Sequence, residues 1–326
     1  MKSSGIGGQA VMEGIMMKNG DAYALAVRLP DGQIQVEPGE YKGFVKGKKI
    51  LELPFVRGVF NFIDSMVLGI KTLTRSADLA LEAEKAAETE KKVAGAQNGE
   101  SKASEGKKKD SSGDNGLMMA MTVALSIALA VGLFMVLPVL IASPIKGLGA
   151  GPFWIALVEG IIRLVIFFIY VKLISKMEDI QRVFMYHGAE HKCINCIEQG
   201  LELTVDNVRA SSRLHKRCGT SFLLLVMLVS LLVFMFVRVE TVLLRIVSRV
   251  LLLPVIAGIS YEVLKLAGRS ESPLVCLISK PGLAMQKLTT REPDDSMIEV
   301  AISAVEAVFD WETFVSEVKE EQENQK

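Results

Sequence analysis

Residues 117 to 142 form an unbroken run without a charged side chain. As an α-helix this run would extend about 39 Å, more than the roughly 30 Å hydrocarbon thickness of a bilayer. Half of the 326 residues are hydrophobic and mean hydropathy is +0.35, although 23% are charged. Apolar and charged residues must therefore be segregated along the chain, as in a membrane protein. Three further spans are expected at 153–174, 221–237 and 246–266. The second carries Glu159 and Arg163, and the approach to the fourth is interrupted by Arg245 and Arg249.

Lysine and arginine set the expected orientation. The stretch before the first span holds Lys102 and Lys107 to Lys109, and residues 175–220 between spans two and three hold seven basic residues. Lys146 alone lies between spans one and two, whereas Arg238, Arg245 and Arg249 in the third connection oppose the trend. Both termini and loop 175–220 are thus expected in the cytosol of a multi-pass protein of the cell membrane. The 37 basic and 37 acidic residues cancel, which gives no basic surface for nucleic acid. Four irregularly spaced cysteines, with no apolar h-region after the start, argue for a reducing compartment.

Residues 1–53 read as a glycine-rich start followed by a β-hairpin, with alternating segments 22–29 and 33–37 around a Pro30-Asp31-Gly32 turn. Residues 54–94 read as an amphipathic helix whose Arg57, Asn61 and Asp64 share a face, lying on or against the membrane bundle; a fifth, partly polar span is the alternative. Residues 95–116 have hardly an apolar side chain and read as a flexible linker between this helix and the transmembrane region 117–268. The tail 269–326 is expected to be cytosolic, with a helix capped by Asp294 or Asp295 and running through Ile298, Ile302, Val305 and Phe309.

The three histidines and three of the four cysteines fall between His187 and Cys218. His187, Glu190 and His191 spell H-x-x-E-H, which on a helix puts two imidazoles on one face, four residues apart, with a glutamate beside them. This is the inverted zinc-hydrolase pattern: two metal ligands and a proton-accepting carboxylate. A further ligand could come from His215 and Cys218, spaced i to i+3, or from Glu262 at the end of span four. The metal implied is divalent, zinc by ligand type. Cys193 and Cys196 form a C-x-x-C without a second to complete a zinc knuckle and read as packing residues. Glu159 and Arg163, spaced i to i+4, read first as a buried pair fixing helix packing, and second as a substrate or proton site.

On these residues the chain resembles the YqhQ family, bacterial membrane proteins described as predicted metal-dependent enzymes. The resemblance is carried by residues 7–17, 53–58, 186–192, 218–222 and 289–295. It implies that His187, Glu190, His191, His215 and Cys218 occupy motif positions, and it adds Glu13 and Arg57. Lys216 stands where the family usually has proline.

The sequence thus predicts an all-α polytopic membrane protein of about four transmembrane helices with a small N-terminal β-containing segment. Its expected activity is hydrolysis by Glu190 at a metal site on the cytosolic membrane face, with the lipid bilayer and a membrane-associated substrate or protein as partners. The rival expectation is a transporter or assembly factor with a structural metal.

Overall fold

The computed structural model describes residues 2–44, 48, 51–96, 112–237, 239, 241–268 and 272–324. The chain divides into two compact units, one of Met1–Ala83, Tyr170–Val229 and Pro254–Lys326 and one of Glu84–Ile169 and Ser230–Leu253.

The first unit opens with a four-stranded antiparallel sheet, β1 (Gly7–Val11), β2 (Gly14–Asn19), β3 (Ala22–Arg28) and β4 (Ile34–Glu40), paired in sequence order. The expected hairpin is β3–β4, and Gly32 at its turn has φ +87°. The glycine-rich start, expected only as a preamble, supplies two more strands. Ile15, Met16 and Met17 are all buried, so this segment presents a continuous apolar run without the alternation that marks a half-solvated strand. Gly14 is required, because a Cβ there would collide with the Ala26 carbonyl of β3.

Helix α1 (Val56–Ala96) follows. Its polar stripe faces protein: Arg57 is paired with Glu262, Asn61 Nδ2 donates to the Tyr261 hydroxyl at 2.8 Å, and Asp64 accepts from the Tyr41 hydroxyl and the Phe44 amide. Gly58 and Gly258 let this helix and its neighbour close to backbone contact. Of the expected linker, residues 97–111 lie outside the described residues. Its two ends are helical instead, because Glu, Lys and Ala dominate up to Ala96 and favour helix, and α2 (Ser112–Val131) begins before the apolar run.

Among the described residues, three helices are long and apolar enough to cross a membrane: Ala120–Ile145, Pro152–Ile174 and Gly219–Phe236. The first comprises α2, a π turn at Gly132–Val136, α3 (Leu137–Ala142) and the start of a 3-10 segment; the others are α4 (Pro152–Ile174) and α7 (Gly219–Phe236). The fourth expected span, 246–266, is a pair, α8 (Val242–Leu251) and α9 (Leu253–Ala267), bent by 44°. Pro254, just inside α9, cannot donate a backbone N–H back into α8, which accounts for the break.

Residues 175–220, expected as a loop, contain α5 (Glu178–Glu198) and the short α6 (Val205–Ala210). The tail contributes α10 (Pro273–Thr289), α11 (Asp295–Glu306) and α12 (Trp311–Glu323). Asp294 caps α11, accepting from the Met297 amide at 2.9 Å, but the helix stops before Phe309 and restarts from a second aspartate cap, Asp310. The tail is not peripheral: Met297, Ile298, Ala301 and Val305 are fully buried in one core with Ile15 and Met17 of the sheet and Ile194 and Ile197 of α5. Cys193 and Cys196 lie in that core with free thiols.

In the second unit the expected Glu159–Arg163 pair is a larger centre. Arg249 of α8 grips both carboxylate oxygens of Glu159 at 2.8 and 2.9 Å, while Arg163 Nη2 lies 3.2 Å away. Arg163 also donates to the Ser230 hydroxyl and, at 2.8 Å, to the Phe134 carbonyl inside the π turn. A π turn breaks the regular i to i−4 ladder, and here one of its carbonyls serves a buried guanidinium. Removing Glu159 leaves two buried cations without their carboxylate, whereas removing Arg163 leaves Arg249 to neutralise it. Glu159→Gln should therefore destabilise the protein by about 3–5 kcal/mol, and Arg163→Ala by clearly less. Thermal unfolding in detergent measures both, and equal losses would contradict the unequal roles.

Candidate metal centre

Helix α5 carries the H-x-x-E-H residues, with Glu178 and Asp179 in its first turn complementing the helix dipole. Gly188, costly for a helix on propensity alone, has a reason here: a Cβ would strike the Arg291 carbonyl of the segment linking α10 to α11. That close approach positions His187. His187 Nδ1 lies 2.8 Å from the carbonyl of Thr289, the last residue of α10. His191 Nδ1 lies 2.6 Å from the Arg213 carbonyl on the other side. A carbonyl only accepts, so both rings carry their proton on Nδ1 and present Nε2 as a lone pair.

Both Nε2 atoms face Cys218, the residue that opens α7. His187 Nε2 is 3.2 Å from the sulfur, and one ligand atom from each of His187, His191 and Cys218 lies within 4.8 Å of the other two. The two imidazoles meet edge to face with centroids 4.4 Å apart. The Thr220 amide and hydroxyl also face the sulfur, at 3.4 and 3.1 Å. His191 is 1% exposed, and burial lowers its pKa and favours the neutral ring that a metal needs. Two imidazoles and a thiolate are a zinc donor set that leaves a fourth tetrahedral position open.

Glu190 is buried one turn from His187. Burial raises its pKa above the ordinary carboxylate value, opposed by His187 and by the Gly8 amide that donates to it. Gly8 of β1 has to be glycine, since a Cβ would meet the Met16 carbonyl and press on the Glu190 carboxyl. A cavity of about 890 Å³ lies against this region, lined by Gly8, by Gly219 beside Cys218, and by Gln9, Phe62, Asp64 and Phe222.

The remaining site residues lie outside the three-residue group. The His215 ring is 5.8 Å from that of His191, but its Nε2 faces Glu198 at 3.4 Å and its backbone is held at both N–H and carbonyl by the buried Gln286. Glu262 is held by Arg57 at 2.7 and 2.6 Å. Glu13, at φ +50° in the β1–β2 turn, pairs with Arg182 of α5. Glu159 and Arg163 belong to the second unit. Sequence reasoning passed over Gly8, Gln286, Glu198 and Arg249; a glycine pair in the first motif and an arginine interrupting an apolar run were the available signals.

Burial would raise the Glu198 pKa, but His215, Arg217 and the Ser4 hydroxyl and amide outweigh it and bring it from 4.5 to about 2. The unfolded chain then binds the proton more readily than the folded one, so stability rises with pH across that window. A contribution on the order of 3 kcal/mol should be present above pH 4.5 and lost as pH falls toward 2. Acid titration of thermal stability should show this loss in the wild type and much less of it in Glu198→Gln.

Residues 53–311 match the sequence profile described as "Protein of unknown function (DUF1385)". The chain is 37% identical over 303 residues to "Uncharacterized protein YqhQ" of Bacillus subtilis (strain 168), covering 91% of this chain and 90% of the relative. No solved structure matches.

Proposed function

The chain belongs to the DUF1385 family, and we propose that it is a membrane-embedded, metal-dependent hydrolase. The observation that carries this reading is the pair of imidazoles held in the Nδ1–H form by the Thr289 and Arg213 carbonyls, with Nε2 and the Cys218 sulfur gathered within 4.8 Å. Hydrogen bonds from the second nitrogen to carbonyl oxygens are the usual support of metal-bound histidines. The residues fit zinc, which when bound would supply Lewis acidity at the fourth position.

The chain's own groups do the rest. His187 and His191 orient through their main-chain partners, and the Thr220 amide donates to the Cys218 sulfur. Glu190, with its raised proton affinity, accepts the proton of the attacking water and returns it to the leaving group. The adjoining cavity combines apolar walls such as Phe62 and Phe222 with Gln9 and Asp64, which suits a membrane-associated substrate with a polar, hydrolysable group. The basic residues of 175–220 support a cytosolic placement of the site.

A second reading, a transporter or assembly factor with a structural metal, draws on the buried Glu159–Arg163–Arg249 centre, since ionisable residues within spans mark transport pathways. Two variants separate the readings. Purified wild type should contain about one equivalent of zinc per chain, lost in His191→Ala, because three ligands are the minimum for a tight site. Glu190→Gln should keep both metal and fold yet fail to complement a strain lacking the protein. Full complementation by Glu190→Gln would exclude the hydrolytic role, and metal-free wild type would remove the premise of both.

A further inference from the structure

Among the described residues, four ionisable side chains lie buried in the second unit: Glu159 at 1% exposure, Arg249 at 2%, Arg163 at 5% and Arg245 at 7%. Guanidinium groups stay protonated in proteins, so one carboxylate stands against three cations. The geometry repeats the imbalance. Arg249 spends Nε and Nη2 on Glu159 and stacks on Phe234 with its guanidinium carbon 3.9 Å from the ring centroid. Its Nη1, and Nη1 of Arg245, are buried donors without an acceptor among the described residues. Unsatisfied charged donors in a low-dielectric setting are costly, and native structures keep them rarely and for a reason.

Arg245 and Arg249 are one turn apart on α8, on the same face. That helix turns Leu243, Leu244, Val247 and Leu251 outward and both arginines inward, the reverse of a helix on a water-soluble protein. Arg245 lies one turn from the helix start at Thr241, close to where a span emerges at the headgroup layer. Glu159 is likewise in the first half of α4, with Arg163 at its midpoint. The chain crosses an even number of spans between these two helix starts, so both begin at the same membrane face. We propose that Arg245 and Arg249, oriented by Glu159 and Phe234, bind a phosphate group at this face, a binding site separate from the histidine–cysteine cluster. Each guanidinium presents a fork suited to phosphate oxygens, and one bound phosphate answers both the orphaned donors and the excess positive charge. The phosphate could come from a lipid headgroup or from a free oxyanion.

The test uses the full chain in non-ionic detergent, with mixed micelles containing phosphatidylglycerol or phosphatidylcholine, or with millimolar inorganic phosphate. Thermal unfolding and native mass spectrometry are the readouts. For a lipid source, phosphatidylglycerol should raise the melting temperature and remain bound at about one per chain, and phosphatidylcholine should do neither. Inorganic phosphate reproducing the shift would identify a free oxyanion at the same site. Arg245→Gln leaves the contacts of Glu159 untouched and should lower the affinity of the effective ligand by about tenfold or more. Lys172→Gln, an exposed cation on α4, should leave it unchanged. No response of the wild type to either phosphate source would overturn the proposal, as would equal responses of the wild type and Arg245→Gln.

Discussion

The first unit is organised by the burial of polar side chains along one helix. From Gly188 to Glu198 every residue of α5 is buried, yet Glu190, His191, Lys192, Asn195 and Glu198 are among them. Each must find a partner, because an unpaired buried polar group costs roughly 1–3 kcal/mol. They find partners mostly on main chain. Lys192 donates to the carbonyls of Arg209 and Ser211, Asn195 to those of Ser212 and Leu214, and His191 to that of Arg213. Three side chains thus hold five consecutive-region carbonyls of a segment with little regular structure, and that segment delivers the chain to Cys218. The approach of His191 to Cys218 is a by-product of satisfying this helix.

The second unit handles buried charge differently. There the partners are other side chains and one carbonyl released by the π turn, so the position of Arg163 depends on an irregularity within the first span. The same centre ties α4 to α8 through Glu159 and Arg249. Charge thereby specifies which faces of otherwise uniformly apolar helices meet, a task that non-directional burial performs poorly.

What the sequence made legible follows periodicity and long apolar runs. The three spans, the β3–β4 hairpin, the helix under H-x-x-E-H and the Asp294 cap are all local signals. What it concealed depends on partners distant in sequence. Gly5 to Gly14 reads only as a glycine-rich start, because the reasons for two of its glycines are tertiary: Gly14 makes room for the Ala26 carbonyl on a neighbouring strand, and Gly8 for Glu190, far along the chain. The tail helix α11 reads as amphipathic, but nothing local reveals that its apolar face completes the core under the sheet. Arg249 looked like an interruption of a span because its carboxylate is 90 residues away. Of the proposed ligands, the histidine pair was readable from spacing. The choice of Cys218 over His215 was not, since it turns on Glu198 drawing the His215 ring aside.

The acceptors that set the ring protons of His187 and His191 belong to the peptide backbone, not to side chains. Any amino acid at position 213 or 289 brings a carbonyl oxygen, so point substitution cannot delete either acceptor. The tautomers are in this sense encoded by the path of the chain. Drift at those two positions can alter their surroundings while leaving ring protonation intact, whereas an insertion or deletion that shifts either path would release the ring it holds even with every histidine and cysteine retained.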